Sequence, residues 1–191
     1  GAFAYVAREI KQSVDVPVAA SNRINDPHTA EQLLRDGWAD AISLGRAALA
    51  DPAWPNKARE GRLEDINLCI ACNECLDYAT VKEKDIRCLV NPKAGRGLES
   101  GEIPPADQPK DVLVAGGGVV GMHAALACYE RGHRVTLCEK TEYLGGKWRV
   151  AYAPEGREEL VNYLQWLTTQ LNRSDVRIET DTSVTPDLVR E

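Results

Sequence analysis

Cys69, Cys72 and Cys75 stand three residues apart, and Cys88 follows after twelve intervening residues. Thiolates at that spacing converge on one inorganic group because the chain loops around it, and a fourth from further along closes the cage. A 4Fe-4S centre suits the pattern best. Zinc is the rival, although structural zinc sites usually gather their ligands as two separated pairs, and unliganded thiols are the third reading. Cys128 and Cys138 fall on an apolar helix and strand, so both are expected to be buried thiols without a redox role.

A second chemistry-bearing stretch is Gly116-Gly117-Gly118-Val119-Val120-Gly121, set between an apolar run and a helical pattern. That context makes the spacing a dinucleotide-binding turn. Gly116 permits the tight bend, Gly118 lets the backbone approach a pyrophosphate, and Gly121 allows close packing of helix on strand. The helix that follows offers free N–H groups and a positive dipole end to the phosphates. Glu139 lies 18 residues after Gly121, at the end of the next strand, where a carboxylate accepts hydrogen bonds from a ribose. These residues do not separate FAD from NAD.

Arg23 and Arg46 each follow a short apolar run, at the carboxyl end where parallel α/β barrels place their ligands. Gly45 and Arg46 suit a phosphate, with glycine giving backbone access and arginine a forked cation. A solvated surface arginine is the plainer reading of the spacing alone.

Several elements must position these groups. Apolar residues at Phe3, Val6, Ala7, Ile10 and Val14 predict a helix over 3–14. Residues 16–21 form a short apolar run that predicts a buried parallel strand. Asp26 before Pro27 predicts a capped helix over 27–35, ending at Gly37. A strand over 39–44 follows, and residues 47–66 predict irregular helix broken by Pro52 and Pro55. After the cysteines, residues 93–110 are rich in Gly, Pro and charge and predict a linker. Beyond it, a strand over 111–115, a helix over 119–131 and a strand over 134–139 form a βαβ unit, followed by a helix over 157–171 and a strand over 176–180.

Composition narrows the function. The 191 residues are 43% hydrophobic and 27% charged, with a net charge of −6, which predicts a folded chain with no basic field for nucleic acid. No apolar run reaches the roughly 20 residues needed to cross a bilayer. Six cysteines without a secretory segment predict a reducing compartment, with the cytoplasm as the default. The chain opens at Gly1 inside a helical pattern, which predicts a truncated protein. His28, His123 and His133 are expected to be surface or structural residues.

Taken in order, Asn22-Arg23-Ile24-Asn25-Asp26-Pro27, Ala39-Asp40, Gly45-Arg46, Ala50-Asp51-Pro52, Cys69-Ile70-Ala71-Cys72-Asn73-Glu74-Cys75-Leu76-Asp77, Cys88-Leu89-Val90-Asn91-Pro92 and the glycine turn resemble one family. It is the 2,4-dienoyl-CoA reductase and trimethylamine dehydrogenase branch of the Old Yellow Enzyme flavoproteins. The resemblance implies an α/β chain with four parts: the end of an FMN-binding TIM barrel over 1–66, a 4Fe-4S segment over 67–92, a linker over 93–110, and part of an FAD-binding Rossmann domain over 111–191. It implies that Arg23 contacts FMN, that Gly45 and Arg46 hold its phosphate, and that Cys69, Cys72, Cys75 and Cys88 ligate the cluster. Gly116, Gly118, Val120, Gly121, Glu139, Lys147, Arg157 and Val184 match positions that contact FAD in the reductases.

The implied activity is NAD(P)H-dependent reduction of an activated C=C bond in an enoyl or dienoyl substrate. The spacing between Cys72 and Cys75 resembles the amine dehydrogenases instead, whereas Cys75-Leu76-Asp77 and Cys88-Leu89-Val90-Asn91-Pro92 are similar to the reductases, the reading favoured here. A non-catalytic four-cysteine electron-transfer or zinc module is the remaining alternative. The family's proton donor belongs to barrel segments outside this chain, so no catalytic residue is named and the isolated piece is expected to be inactive. The rest of its own barrel and FAD/NAD domain would be its partner.

Overall fold

The helix at Pro27 begins for a local reason: the Asp26 side chain accepts a hydrogen bond from the Thr29 N–H at 2.9 Å, and Pro27 lacks the donor that the first turn would leave unpaired. The computed structural model describes residues 2–96 and 104–190. They fall into two compact units, Gly1–Arg96 and Gly97–Glu191. The sequence-predicted linker therefore lies partly outside the described residues, at 97–103.

In the first unit, α1 (Ala4–Lys11) leads into β1 (Ala19–Ala20), α2 (Pro27–Arg35) and β2 (Ala41–Ile42). The two strands pair in parallel, Ala19 with Ala41 and Ala20 with Ile42, so both following loops leave from the same carboxyl edge. Two short helices, α3 (Arg46–Ala50) and α4 (Trp54–Arg59), and a 3-10 turn over Leu63–Asp65 make up the irregular helix predicted over 47–66, with Pro52 and Pro55 marking the break and restart. The core gathers Ala4, Ala7, Ala20, Ile24, Ala30, Leu33, Ala39, Ala47, Trp54 and Ile66. Most of these are alanines, so helices approach the strands closely.

The predicted inward stripe on α1 meets a different outcome. Ala4 and Ala7 are buried, whereas Phe3, Val6, Ile10 and Val14 are exposed.

The second unit is a three-stranded parallel sheet in the order β3 (Asp111–Ala115), β4 (Arg134–Cys138), β5 (Arg177–Glu179). Helix α6 (Val119–Glu130) connects β3 to β4, and α7 (Lys147–Ala151) and α8 (Glu158–Asn172) connect β4 to β5. Met122 and Ala125 of α6 are buried with Leu164, Leu167 and Leu171 of α8 and with Val135 and Leu137 of the central strand. Cys138 is buried as expected, whereas Cys128 is only half-buried.

Candidate functional site

Two sites follow from these elements, one in each unit. In the first unit, Arg23 lies three residues beyond β1, and Gly45-Arg46 opens α3 just beyond β2. Asn22 and Arg23 both adopt left-handed backbone, φ 75° and 55°. That sharp bend carries the loop back to Asn25, whose side-chain amide donates to the Cys69 carbonyl at 2.9 Å. The indole N–H of Trp54 in turn donates to the Asn25 carbonyl at 2.8 Å. The loop after β1 thus grips the start of the cysteine segment.

The cysteine segment is held from the other side by Asp51 and two asparagines. Asp51 is 5% exposed and receives Lys57 Nζ at 2.6 Å and the backbone N–H groups of Ala53 and Asn67, both at 3.0 Å. Asn67 donates to the Val90 carbonyl at 2.7 Å, and Asn91 donates to the Leu49 carbonyl at 2.8 Å. Asn67 precedes Cys69 by two residues and Val90 follows Cys88 by two, so one amide ties the two cysteine arms together. Gly95 closes the second arm: its φ is +75°, and a Cβ there would stand 1.8 Å from the Ile86 carbonyl oxygen.

Between the arms the chain kinks twice. Ala71 and Asn73 are left-handed, φ 54° and 60°, a conformation that costs a residue with a Cβ about 1 kcal/mol. The first kink turns the Ala71 N–H back onto the Cys69 sulfur at 3.4 Å. Asn73 starts α5 (Glu74–Leu76), which carries Cys75 inward, and its side-chain oxygen accepts a short hydrogen bond from Arg46 Nη1. Sequence reasoning missed Asn25, Asn73 and Gly95 as organisers of this loop.

Burial pushes the Cys69 and Cys88 thiols above the ordinary range. The Ala71 N–H and the Arg46 charge oppose that rise at Cys69, and the Val90 and Asn91 N–H groups oppose it at Cys88. Cys72 and Cys75 act electrostatically on Cys69, and Cys69 and Cys72 act on Cys88. Among the described residues, however, no group of three or more His, Cys, Asp or Glu is close enough to hold a single metal ion. A tetrahedral zinc ion with ligands at about 2.3 Å needs sulfurs roughly 3.8 Å apart. An iron-sulfur cube binds each thiolate through a different iron and needs them further apart. N–H groups aimed at sulfur are also what tunes such clusters. Four thiols are a donor set that either a cluster or a zinc ion takes.

In the second unit, the glycine turn joins β3 to α6. Gly116 has φ +105°, and a Cβ on Gly121 would stand 1.9 Å from the Gly116 carbonyl oxygen, so the helix can start this close to the strand only with glycine there. A Cβ on Gly118 meets nothing within 4 Å. The space over Gly118 belongs to a cleft of about 450 Å³, lined by Gly118, Val119, Val120, Gly145, Lys147 and Trp148 among others. The Gly145 N–H donates to the Gly117 carbonyl at 2.7 Å and forms the cleft's second wall.

Glu139 is 7% exposed. One carboxylate oxygen accepts from the Gly117 N–H at 2.8 Å; the other accepts from the Thr141 N–H and hydroxyl, both at 2.9 Å. The Thr141 N–H, with help from Gly117, holds this carboxyl below its ordinary range against the effect of burial. The oxygen that accepts from Gly117 keeps a lone pair for a ribose hydroxyl. Pyrophosphate and ribose therefore have a fitting cradle, with Gly118, Val120 and Lys147 at the opening. Arg157, at the N-terminus of α8, and Val184 are not among the lining residues of that cleft. Val184 lies two residues beyond Thr182, whose N–H donates to the Glu139 carbonyl at 2.9 Å.

The histidines do other work. His28 is exposed, His133 Nδ1 accepts from the Lys110 N–H at 3.2 Å, and His123 forms a short hydrogen bond with the buried Tyr163 hydroxyl. Burial holds His123 below the ordinary histidine range.

Comparison with known proteins bears on both halves. Residues 3–65 match the NADH:flavin oxidoreductase / NADH oxidase family, and residues 111–171 match the FAD dependent oxidoreductase family. A protein named NADH oxidase from Thermoanaerobacter brockii is 40% identical over 97% of this chain and 30% of its own length. Among solved structures, a 2-naphthoyl-CoA reductase complex superposes with a TM-score of 0.91 at 30% identity, covering 100% of this chain and 29% of that one. Histamine dehydrogenase from Rhizobium sp. 4-9 superposes with a TM-score of 0.92 at 29% identity, covering 99% and 28%.

Each unit of this α/β chain thus carries a match to a flavin oxidoreductase family. The proteins the chain resembles include both a cinnamate reductase and a dimethylamine dehydrogenase. The chain spans about 30% of the length of the relatives it matches. Among the described residues, no helix is long and apolar enough to cross a membrane.

Proposed function

We propose that this chain is the electron-transfer middle of an NAD(P)H-dependent reductase of activated C=C bonds. The cysteine loop carries the reading: one amide ties together the two arms that carry the four cysteines, beside the arginine that follows β2. Cys69, Cys72, Cys75 and Cys88 would hold a 4Fe-4S cluster. Arg23, Gly45 and Arg46 would hold FMN, with Arg46 on its phosphate. Gly116, Gly118, Val120, Gly121, Glu139 and Lys147 would hold FAD, with Arg157 and Val184 completing the contact. When bound, these groups supply a route for electrons from NAD(P)H through FAD and the cluster to FMN and on to an enoyl or dienoyl substrate.

The residues supply position and field. The helix α6 N-terminus and Lys147 offset phosphate charge, and Glu139 fixes both the turn and the ribose. Ala71, Val90 and Asn91 direct N–H groups at thiolates, which favours their charged form against burial. Val6 and Ile10 on α1, with Phe3 and Val14 flanking it, leave an exposed apolar face that the remaining barrel elements would cover. The family's proton donor would lie in barrel segments outside this chain, and the cytoplasm is the compartment proposed.

A second reading is an amine dehydrogenase, in which substrate electrons leave through the cluster. The likeness to histamine dehydrogenase and the spacing of Cys72 and Cys75 favour it. Anaerobic NADH or NADPH titration of the full-length protein separates the two. Bleaching of the flavin absorbance by either nucleotide is expected; bleaching by amines alone would replace the first reading with the second.

A further inference from the structure

We propose that Asn73 is a positioning residue that makes Arg46 a shared cation, coupling the phosphate site after β2 to the cysteine loop. The inference rests on the functional reading above and goes beyond it, since neither the cluster nor the flavin by itself requires that they share a charge.

Three observations place the residues. The Asn73 side-chain oxygen accepts directly from Arg46 Nη1, although the two lie 27 residues apart in sequence. Asn73 stands between Cys72 and Cys75 in a left-handed conformation, φ 60°, so its side chain leaves the loop at a kink set by the cysteine spacing. Arg46 is half-buried, and its hydrogen bond to Asn73 sets its guanidinium against the loop that carries Cys72 and Cys75. A guanidinium has five donors in a fixed fork. With one of them taken by Asn73, the others stay in a defined orientation at the carboxyl edge of the strands.

The physical consequence is a linkage. A phosphate dianion on the free side of Arg46 offsets its positive field, and cluster thiolates within reach of that field lose stabilisation of their negative charge. Phosphate binding must then lower the cluster's affinity for an electron, and by reciprocity an added electron on the cluster must weaken phosphate binding. Asn73 is what keeps Arg46 within reach of both. Removing its side chain frees the guanidinium to rotate, so the phosphate loses a prepaid orientation and the cluster loses a fixed charge.

The test uses full-length protein carrying its cluster and stripped of FMN, with inorganic phosphate as a redox-inert probe. Asn73→Gly removes the acceptor and tolerates the left-handed backbone; Asn73→Asp is the second variant, which keeps the side chain and places an anion on Arg46. In the wild type, saturating phosphate is expected to move the cluster midpoint, followed by electron paramagnetic resonance, to more negative values. In Asn73→Gly that movement should fall by at least half. FMN should bind the same variant about tenfold more weakly by fluorescence quenching, the effect of one charge-assisted hydrogen bond. Asn73→Asp should lower the midpoint without phosphate and weaken FMN by a similar factor. A wild-type midpoint indifferent to phosphate would overturn the coupling, as would FMN affinity unchanged in both variants. Wild-type protein without iron would remove the functional reading itself, whereas an iron-loaded protein with silent Asn73 variants removes only the coupling.

Discussion

The Glu139 carboxylate accepts the Gly117 N–H at 2.8 Å, so the residue at the end of β4 braces the glycine turn that starts α6. The same carboxylate holds Thr141 through its N–H and hydroxyl. Bound this way, it is depressed below the ordinary glutamate value of about 4.3. A carboxyl lowered by folding stabilises the native state above its unfolded value and loses that contribution as pH falls through its native one. Urea unfolding of wild type should therefore weaken as pH drops below about 4.3, and Glu139→Gln should flatten that dependence. At neutral pH the variant should be less stable by about 1–3 kcal/mol, because one N–H group loses its acceptor.

Gly118 and Gly121 should separate ligand binding from folding. A Cβ on Gly118 enters open space, while one on Gly121 strikes the Gly116 carbonyl oxygen at 1.9 Å. Gly118→Ala is expected to keep the wild-type melting temperature and bind FAD at least about tenfold more weakly, since the methyl group stands where pyrophosphate must approach. Gly121→Ala should lose both, with destabilisation on the order of 3 kcal/mol. Calorimetry and flavin titration of the two variants check the contrast.

Gly95 should matter for the metal although it ligates nothing. Its alanine variant would drive a methyl into the Ile86 carbonyl and also strain a backbone at φ +75°. The segment displaced carries Cys88, so Gly95→Ala should retain markedly less iron than wild type. Gly61 has a similar φ of +72° but open space around it. Gly61→Ala should cost only about 1 kcal/mol and keep full iron content.

Asp51 holds together what the cysteine arms hang from. Asp51→Ala leaves the Ala53 and Asn67 N–H groups without their side-chain acceptor and Lys57 Nζ with only the Asp65 carbonyl, in a site 5% exposed. Breaking a buried pair from one side costs about 3–5 kcal/mol. Chemical denaturation should show that loss, and Asp51→Asn should recover part of it by accepting the Asn67 N–H.

Local signals in the sequence carried the elements well where both partners were near in the chain. Asp26, Pro27 and Gly37 marked α2, and the glycine turn with its flanking apolar runs marked β3, α6 and β4. The cysteine loop was legible as a ligand set and illegible as a scaffold. Asn25 meets Cys69 across 44 residues and Arg46 meets Asn73 across 27, and side-chain amides carry no periodicity that would announce such contacts. Helix α7 follows Gly145 and Gly146, both at positive φ, in a stretch too short for a helical pattern to emerge. On α1 and its flanks, spacing defined an apolar stripe but not its partner: Phe3, Val6, Ile10 and Val14 find no cover within this unit, and only the alanines are buried. The first two strands were read as six residues each and pair over two, because a ladder needs a neighbour at every rung.

The central claim is that Cys69, Cys72, Cys75 and Cys88 hold an iron-sulfur cube. Anaerobically purified full-length protein should contain about four iron and four acid-labile sulfide per chain, with a paramagnetic signal on reduction. Replacing Cys88 by Ser should abolish that signal. Recovery of one zinc per chain, with no labile sulfide, would contradict the account.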